Sequence, residues 1–192
     1  MTETQSIGTL TGTWDLDPAH TRLGFAARHA MVATVRGGFA VFSGQLHLDE
    51  ADPTRSSAEV RIDAASIATG NEQRDAHLRS PDFLDVEKYP ELVFRSTRVE
   101  RGDDADEYRV VGDLTVKGES HPVVFQLEYQ GTAVDPFGNR RAGFEAKATI
   151  NRKDWGLAWN VALEAGGILV GDKVKLELDI SAIKRADDAP TA

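Results

Sequence analysis

Along most of the chain, apolar and polar residues alternate one for one. Ala58, Val60, Ile62 and Ala64 alternate with Glu59, Arg61 and Asp63, the period expected of a strand with one buried face. Leu92, Phe94 and Ser96 continue the pattern, followed by Tyr108, Val110, Gly112, Leu114 and Val116. Three later runs repeat it, from Val123 to Tyr129, from Ala142 to Ile150 and from Val174 to Ile180. Near the N-terminus, Gly12 to Asp17 and Arg22 to His29 are shorter runs. Val35 to Asp49 reads as one long strand whose phase shifts from Val35, Phe39 and Val41 to Phe42, Leu46 and Leu48. The shift predicts a bulge or sharp bend near Ser43-Gly44.

Short polar turns separate these runs: Ala51-Asp52-Pro53-Thr54, Gly102-Asp103-Asp104, Lys117-Gly118-Glu119 and Asp135-Pro136-Phe137-Gly138-Asn139. Strands joined so closely form an antiparallel meander, because a parallel pair needs a long crossover. Eight or nine of them lose their edges most simply by closing into a barrel. The fold class expected is therefore all-β, an eight-stranded antiparallel barrel. Such a barrel is just wide enough for side chains or for one ligand. The inward positions mix Ala, Gly and Ser with Phe, Val and Leu. That mixture favours a cavity, although a filled, tapering core has the same composition.

Only residues 69–90 break the alternation. Thr69 and Glu72 have capping-box spacing, and the chain from Asn71 to Leu78 then runs without a breaker. Ser80-Pro81 stops this turn and starts another. A short polar helical insert in an all-β chain is either a lid on one barrel end or a crossover between sheets.

The 192 residues suffice for one domain, placed at 10–184 between flexible tails at 1–9 and 185–192. With 22 Lys and Arg against 31 Asp and Glu, the formal net charge is -9. That argues against a nucleic-acid partner, which requires clustered basic residues. No cysteine is present, which removes disulfides, thiolate nucleophiles and Cys-ligated zinc together. The first ten residues lack the basic and apolar regions of a signal peptide. A cytoplasmic location is therefore expected, or a periplasmic or secreted one if the chain is a trimmed mature form. No stretch approaches the roughly 20 apolar residues of a membrane span.

Candidate chemistry is sparse. His20, His29, His47, His77 and His121 show no zinc-ligand spacing, so no metal is expected. Asp17, His20 and Thr21 have the residue types of a triad packed into one turn, where the simpler role of Asp17 and Thr21 is to cap that turn. Two charged groups stand out: Arg74, Asp75 and His77 on the insert, and Arg152 with Asp154 on one strand face, followed by Trp155 and Trp159. A cation beside aromatics at a barrel mouth suits an amphiphile with an apolar tail and a polar head. The alternative is an Arg–Asp bridge that pins the insert to the barrel rim.

Several segments together resemble the YceI-like family. They are Trp14-x-x-Asp17-x-x-His20-Thr21, His29, and Gly37-x-Phe39, then Thr69-Gly70-Asn71-x-x-Arg74-Asp75-x-His77-Leu78. Asp82-Phe83-Leu84-Asp85, Tyr89-Pro90, Gly112-Asp113-Leu114-Thr115 with Gly118, and Arg152-x-Asp154-Trp155-Gly156 follow in order. Thr21 stands where Ser is common in the family, and Trp155 where Phe is common. The resemblance implies a lipocalin-like barrel with a helical insert. It also implies a long-chain isoprenoid or similar amphiphilic lipid inside, such as an isoprenoid quinone or polyprenyl chain, held by a carrier or storage protein that is often a homodimer. No cofactor besides that lipid, and no catalytic role, is expected. Phase places Phe25, Phe39, Phe94, Leu114, Phe125 and Phe144 along the tunnel. His29, Arg74, His77, Leu78, Phe83, Trp155 and Trp159 complete the candidate ligand-binding set, with the polar head near the insert. The rival readings are an enzyme using His20 or His77 as acid/base on a lipid-like substrate, and a structural barrel with a filled core.

Overall fold

A computed structural model describes residues 10–186, and the expected N-terminal tail lies outside the described residues. Eleven strands follow in order: β1 (Gly12–Leu16), β2 (Arg22–His29), β3 (Ala33–Phe39), β4 (Phe42–Leu48), β5 (Ser57–Asp63), β6 (Ile67–Ala68), β7 (Glu91–Arg101), β8 (Glu107–Val116), β9 (Glu119–Val134), β10 (Arg140–Asn151) and β11 (Val170–Lys184). The described residues contain one α-helix, α1 (Glu72–Arg79), between β6 and β7.

The eleven strands occupy eight barrel positions. Going round, β1, β4, β5, β7, β8, β9, β10 and β11 pair in turn, and β11 closes on β1. The remaining strands β2, β3 and β6 prolong three of these positions. The C-terminal part of β11 pairs with β1 through Leu16↔Ala182, while its N-terminal part pairs with β2 through Leu176↔Phe25. In the same way β3 pairs with β2 and β6, and β4 pairs with β1 and β5. The meander is thus eight antiparallel positions, three of them split across the middle.

The splits have local causes. Between β1 and β2, the Asp17 carboxylate caps a turn by accepting the Ala19 N–H at 3.0 Å. Thr21 does not cap that turn; its hydroxyl donates to the Ser181 carbonyl of β11 at 3.0 Å and accepts the Ser181 N–H. The long run from Val35 breaks at Ala40-Val41, three residues before the position its phase shift marks. Ala40 N–H donates to Ser66 O and Val41 N–H to Ser66 Oγ, which takes both groups out of the ladder. Val41 is therefore exposed, and Phe42 starts the inward phase. Between β5 and β6, Asp63 caps a single 3-10 turn by accepting the Ala65 N–H at 2.9 Å.

Two glycines are required by close approach. A Cβ on Gly112 would fall 2.5 Å from the Arg95 carbonyl and from the Phe94 ring, so Gly112 lets Phe94 lie flat across β8. A Cβ on Gly37 would meet the Phe25 ring at 2.6 Å and the Ala68 carbonyl at 2.8 Å.

Outward positions carry charge at mid-strand. Arg61 and Arg95 flank Glu59, with Arg61 Nη2 to Glu59 Oε1 at 3.0 Å. Glu145 and Lys147 are likewise exposed. A lipid-facing barrel would carry an apolar band there, so the outer wall faces water. No helix among the described residues is long and apolar enough to cross a membrane. Arg185, counted with the C-terminal tail in the sequence, continues the fold. Its N–H donates to Thr13 O, and its guanidinium is 2.7 Å from Asp15.

Candidate functional site

The interior holds an apolar cavity of about 450 Å³, within the range of small-ligand sites. Phe25 and Phe39 contribute from the split wall, Phe94, Leu114 and Phe125 from β7, β8 and β9, and Phe144 from β10. Phe94 and Phe125 meet edge to face at 5.3 Å, and Phe25 lies 6.0 Å from Phe39. The small residues Ala27 and Ala146 face the same space. Strand pleating explains the wall, because from β7 to β11 inward residues alternate with outward ones that are mostly charged or polar, while Phe25 and Phe39 stand between Gly and Ala.

The two ends of this cavity differ. At one end stand α1, residues 80–90 and residues 152–170. Leu78, Phe83 and Leu84 line the cavity there, with Phe83 and Leu84 buried. The wall residues at this end include none that is exposed. At the other end, beside the 3-10 turn Pro53–Arg55 and the turn between β7 and β8, the wall includes exposed Glu50, Ser57 and Asp106. Leu10, Leu48 and Tyr108 lead from these polar residues into the apolar interior. The mouth therefore lies opposite the helical insert, not beside it as the sequence leads one to expect.

The sealed end is held by the residues of the sequence motifs. Asn71, not Thr69, caps α1, its side chain accepting the Arg74 N–H at 2.9 Å. Gly70 has φ +77, which turns Asn71 into the cap position. Thr69 instead gives both its N–H and its hydroxyl to the buried Asp75 carboxylate, at 2.8 and 2.5 Å. Arg74 donates to Thr69 Oγ1 at 2.7 Å and to the Thr69 carbonyl at 3.0 Å. Ser80 ends α1, and residues 81–84 form turns rather than a second helix. Arg79 reaches the Ala65 and Ile67 carbonyls, and Lys117 reaches the Pro81 carbonyl. These contacts to main chain pin the insert to the rim in place of an Arg–Asp bridge.

Arg152 is 3% exposed and touches the cavity. It lies on a 3-10 turn, Arg152–Trp155, because β10 ends at Asn151. Asp154 is exposed and does not share a strand face with it. The guanidinium donates to the carbonyls of Gly171, Leu157, Trp159 and Val170, and its acid neighbour is Asp172 at 3.6 Å. Burial pushes its pKa down and Asp172 partly offsets this. Four carbonyls around a buried cation tie residues 157–171 to the barrel end. Trp155 is 2% exposed, donates its indole N–H to Leu114 O at 2.8 Å, and meets the His121 ring at 5.3 Å.

The structure thus separates the residues expected at the ligand into two groups. Phe25, Phe39, Leu78, Phe83, Phe94, Leu114, Phe125 and Phe144 line the cavity. His29, Arg74, His77, Trp155 and Trp159 do not. His29 ends β2, paired with Ala33 and Val170. His77 contacts Asp82 at 2.8 Å and packs between Phe83 and Trp159, with ring centroids 5.1 and 4.4 Å away. His20 lies 2.6 Å from Asp17, its side chain 64% exposed. Neither histidine faces the cavity. The aliphatic wall from Leu16, Leu23, Leu176 and Leu178 was open to the same phase argument, since each alternates with polar neighbours. The polar rim carries no sequence signal, because Ser57 simply opens β5 and Asp106 belongs to an ordinary turn.

On the outer side, Arg141 joins Asp17 at 2.6 Å to Asp135 at 2.8 Å. Arg141 holds the Asp17 carboxyl below the usual carboxylate range against the opposing effect of burial, helped by His20 and the Ala19 N–H. Burial pushes the Asp135 carboxyl up, but hydrogen bonds from Asn139, Arg141 and the Phe137 N–H outweigh it and hold that group well below its ordinary value. Among the described residues, no three His, Asp or Glu side chains are grouped to hold a metal ion.

Comparison with known proteins places this geometry. The family model described as the YceI-like domain matches residues 14–182. A UPF0312 protein of Staphylococcus epidermidis is 39% identical over 165 residues, covering 85% of this chain and 93% of its own. The crystal structure of a Campylobacter jejuni YceI protein superposes with a TM-score of 0.70 at 27% identity, over 82% of this chain and 90% of that one. A polyisoprenoid binding domain from Saccharophagus degradans, implicated in plant cell wall breakdown, shares the fold with a TM-score of 0.67. It is 17% identical and covers 90% of this chain and 98% of its own.

Proposed function

Because the chain belongs to the YceI-like family, we propose that it is a lipid-binding protein that holds the apolar tail of an isoprenoid or similar amphiphile inside its barrel. It acts as a carrier or store and not as a catalyst. The observation that carries this reading is the continuous apolar cavity of about 450 Å³ within a closed eight-stranded barrel, open at one end. Burying each CH₂ of a tail contributes about 0.8 kcal/mol, so a wall of Phe and Leu holds such a ligand without directional chemistry. The name of the Saccharophagus degradans domain of the same fold supports an isoprenoid over a straight acyl chain. The two histidine–acid pairs lie off the cavity, and a lipid-directed acid/base would need to face it.

Native mass spectrometry of the purified protein, followed by organic extraction, tests the reading. The expected result is a stoichiometric added mass that extracts as an isoprenoid, or its appearance when prenyl lipids are supplied. A protein that stays free of ligand in the presence of these lipids would overturn it.

A further inference from the structure

The tip of the β2–β3 hairpin breaks a local rule. Ala30 and Met31 both have left-handed backbone, with φ +48 and +62, and Val32 N–H donates back to His29 O at 3.2 Å. A turn with two such residues favours Asn, Asp and Gly, because other side chains are strained there. This one carries Ala-Met, with Val32 next. Met31 is 58% exposed and Val32 82%, so burial does not offset the strain. Ala30 N–H donates to Leu169 O at 2.7 Å, which docks the turn on the segment before β11. Val161 and Ile168 of that segment are also exposed, and the Met31 sulfur lies so close over Gly167 that a side chain there would strike it. Two turns thus present one convex apolar tip. None of its four apolar side chains lines the cavity.

Charge is segregated around this tip. From Pro18 to Leu48 the chain has no Asp or Glu, although its formal net charge is -9. Arg28 and Arg36 stand on the outer face of the hairpin, and Lys173 and Lys175 follow on β11. Lys175, Ala26 and Arg36 share one row of the ladder. Arg28 donates to the Met31 carbonyl at 2.9 Å, so its charge sits at the base of the tip. Arg36, Lys173 and Lys175 are exposed and form no salt bridge among the described residues. Glu164 on the tip segment and Asp154 on the Arg152–Trp155 turn are exposed and offset part of this charge, whereas Asp172 is held by Lys153 at 2.9 Å.

A protruding apolar tip collared by basic residues suits shallow insertion among lipid headgroups, with aliphatic side chains at the acyl boundary and cations at an anionic surface. A protein partner would instead be met by aromatic anchors on a broader face, and the tip offers only Met, Val and Ile. We propose that the β2–β3 turn, with Val161 and Ile168, is a docking tip for an anionic bilayer surface. The negative charge of the remaining chain assists by orientation, since the membrane repels the acidic faces and attracts this one. The proposal goes beyond the ligand reading and does not depend on it. The mouth is at the other end of the barrel, so docking positions the protein on a membrane with its mouth toward water.

The test is flotation of the full chain with phosphatidylcholine vesicles, with and without about one third phosphatidylglycerol. Binding to the anionic vesicles is expected to be roughly tenfold stronger, and to collapse as salt rises to about 0.5 M. Val32→Asp, at an exposed position, should abolish it without loss of folding. Arg36→Gln and Lys175→Gln should each weaken it about fivefold. Ala30→Asn combined with Met31→Gly supplies the favoured turn residues, so binding should fall roughly tenfold while the melting temperature holds or rises. Phe137→Ser, in the exposed β9–β10 turn at the mouth end, should change nothing. Equal binding to both vesicle types, binding to neither, or loss in Phe137→Ser but not in Val32→Asp would overturn the proposal. Uptake of prenyl lipid by Val32→Asp, read by native mass spectrometry, should match the wild type, which separates a failure of docking from a failure of ligand binding.

Discussion

The two barrel ends are built on opposite plans. The end under α1 is locked by buried polar groups: Arg152 among four carbonyls, Asp75 receiving both donors of Thr69, and the Trp155 indole bonded to Leu114 O. The other end is rimmed by exposed side chains of two turns. Residues that stand out in the sequence gather at the locked end, and residues that would meet an entering ligand do not. A dense polar motif in this chain therefore marks the closure of the barrel, not its opening. Closure demands particular residues because each buried polar group needs a matched partner, whereas a rim needs only to be wet.

Several substitutions would break or sharpen this contrast. Arg152→Met should have the largest effect, because it leaves four carbonyls without their donor and Asp172 with Lys153 as its remaining cation. A loss of about 3 kcal/mol is expected from leaving buried carbonyls unpaired, read from urea unfolding. Asp75→Ala takes the acceptor from the Thr69 N–H and hydroxyl, and the same measurement should show about 2 kcal/mol lost. Asn71→Ala removes the α1 cap and should cost about 1 kcal/mol. An equal loss from Thr69→Ala with none from Asn71→Ala would return the cap to Thr69.

Acid probes the outer wall. The folded pKa values of Asp17 and Asp135 are lowered, so the unfolded chain binds more protons at low pH. The stability they contribute is fully present above the ordinary carboxylate pKa of about 4. It is lost as pH falls through the lowered folded values. The melting temperature of the wild type should therefore drop on acidification below that point, and Arg141→Met should make the drop shallower. Smallest of all, Asp106→Ala at the rim should change stability by less than about 0.5 kcal/mol. A large loss there would mean that the rim is a second lock.

Strand identity was legible because a half-buried sheet writes its faces into the sequence at period two. Val60, Phe94, Leu114, Phe125 and Phe144 all read correctly as inward, and the alternation from Leu92 to Ile150 needs no tertiary information. The break after Phe39 was misplaced because Val41 matched the apolar phase while its backbone was drawn off to Ser66. A contact across 25 residues leaves no local mark. The helix cap was displaced for a similar reason, since Thr69 fits the spacing rule but Asp75, six residues on, claims it. The roles of His77, Trp155 and Trp159 followed chemical type in the sequence. In the fold, packing decided: each ring is occupied by a neighbour before any ligand arrives.

The split wall has a mechanical consequence. A continuous strand transmits strain along its length, so a barrel of eight unbroken strands yields everywhere or nowhere. Here β1, β4 and β5 form one leaf and β2, β3 and β6 another, and both are hinged on β11 as on a spine. One leaf can loosen while the other keeps the cylinder closed, because β1, β4 and β5 alone complete the ring. The seam between them, at residues 17–21, 40–41 and 64–66, is closed by side chains instead of ladder bonds, through Thr21 on Ser181, Ser66 on Val41 and Arg79 on Ala65.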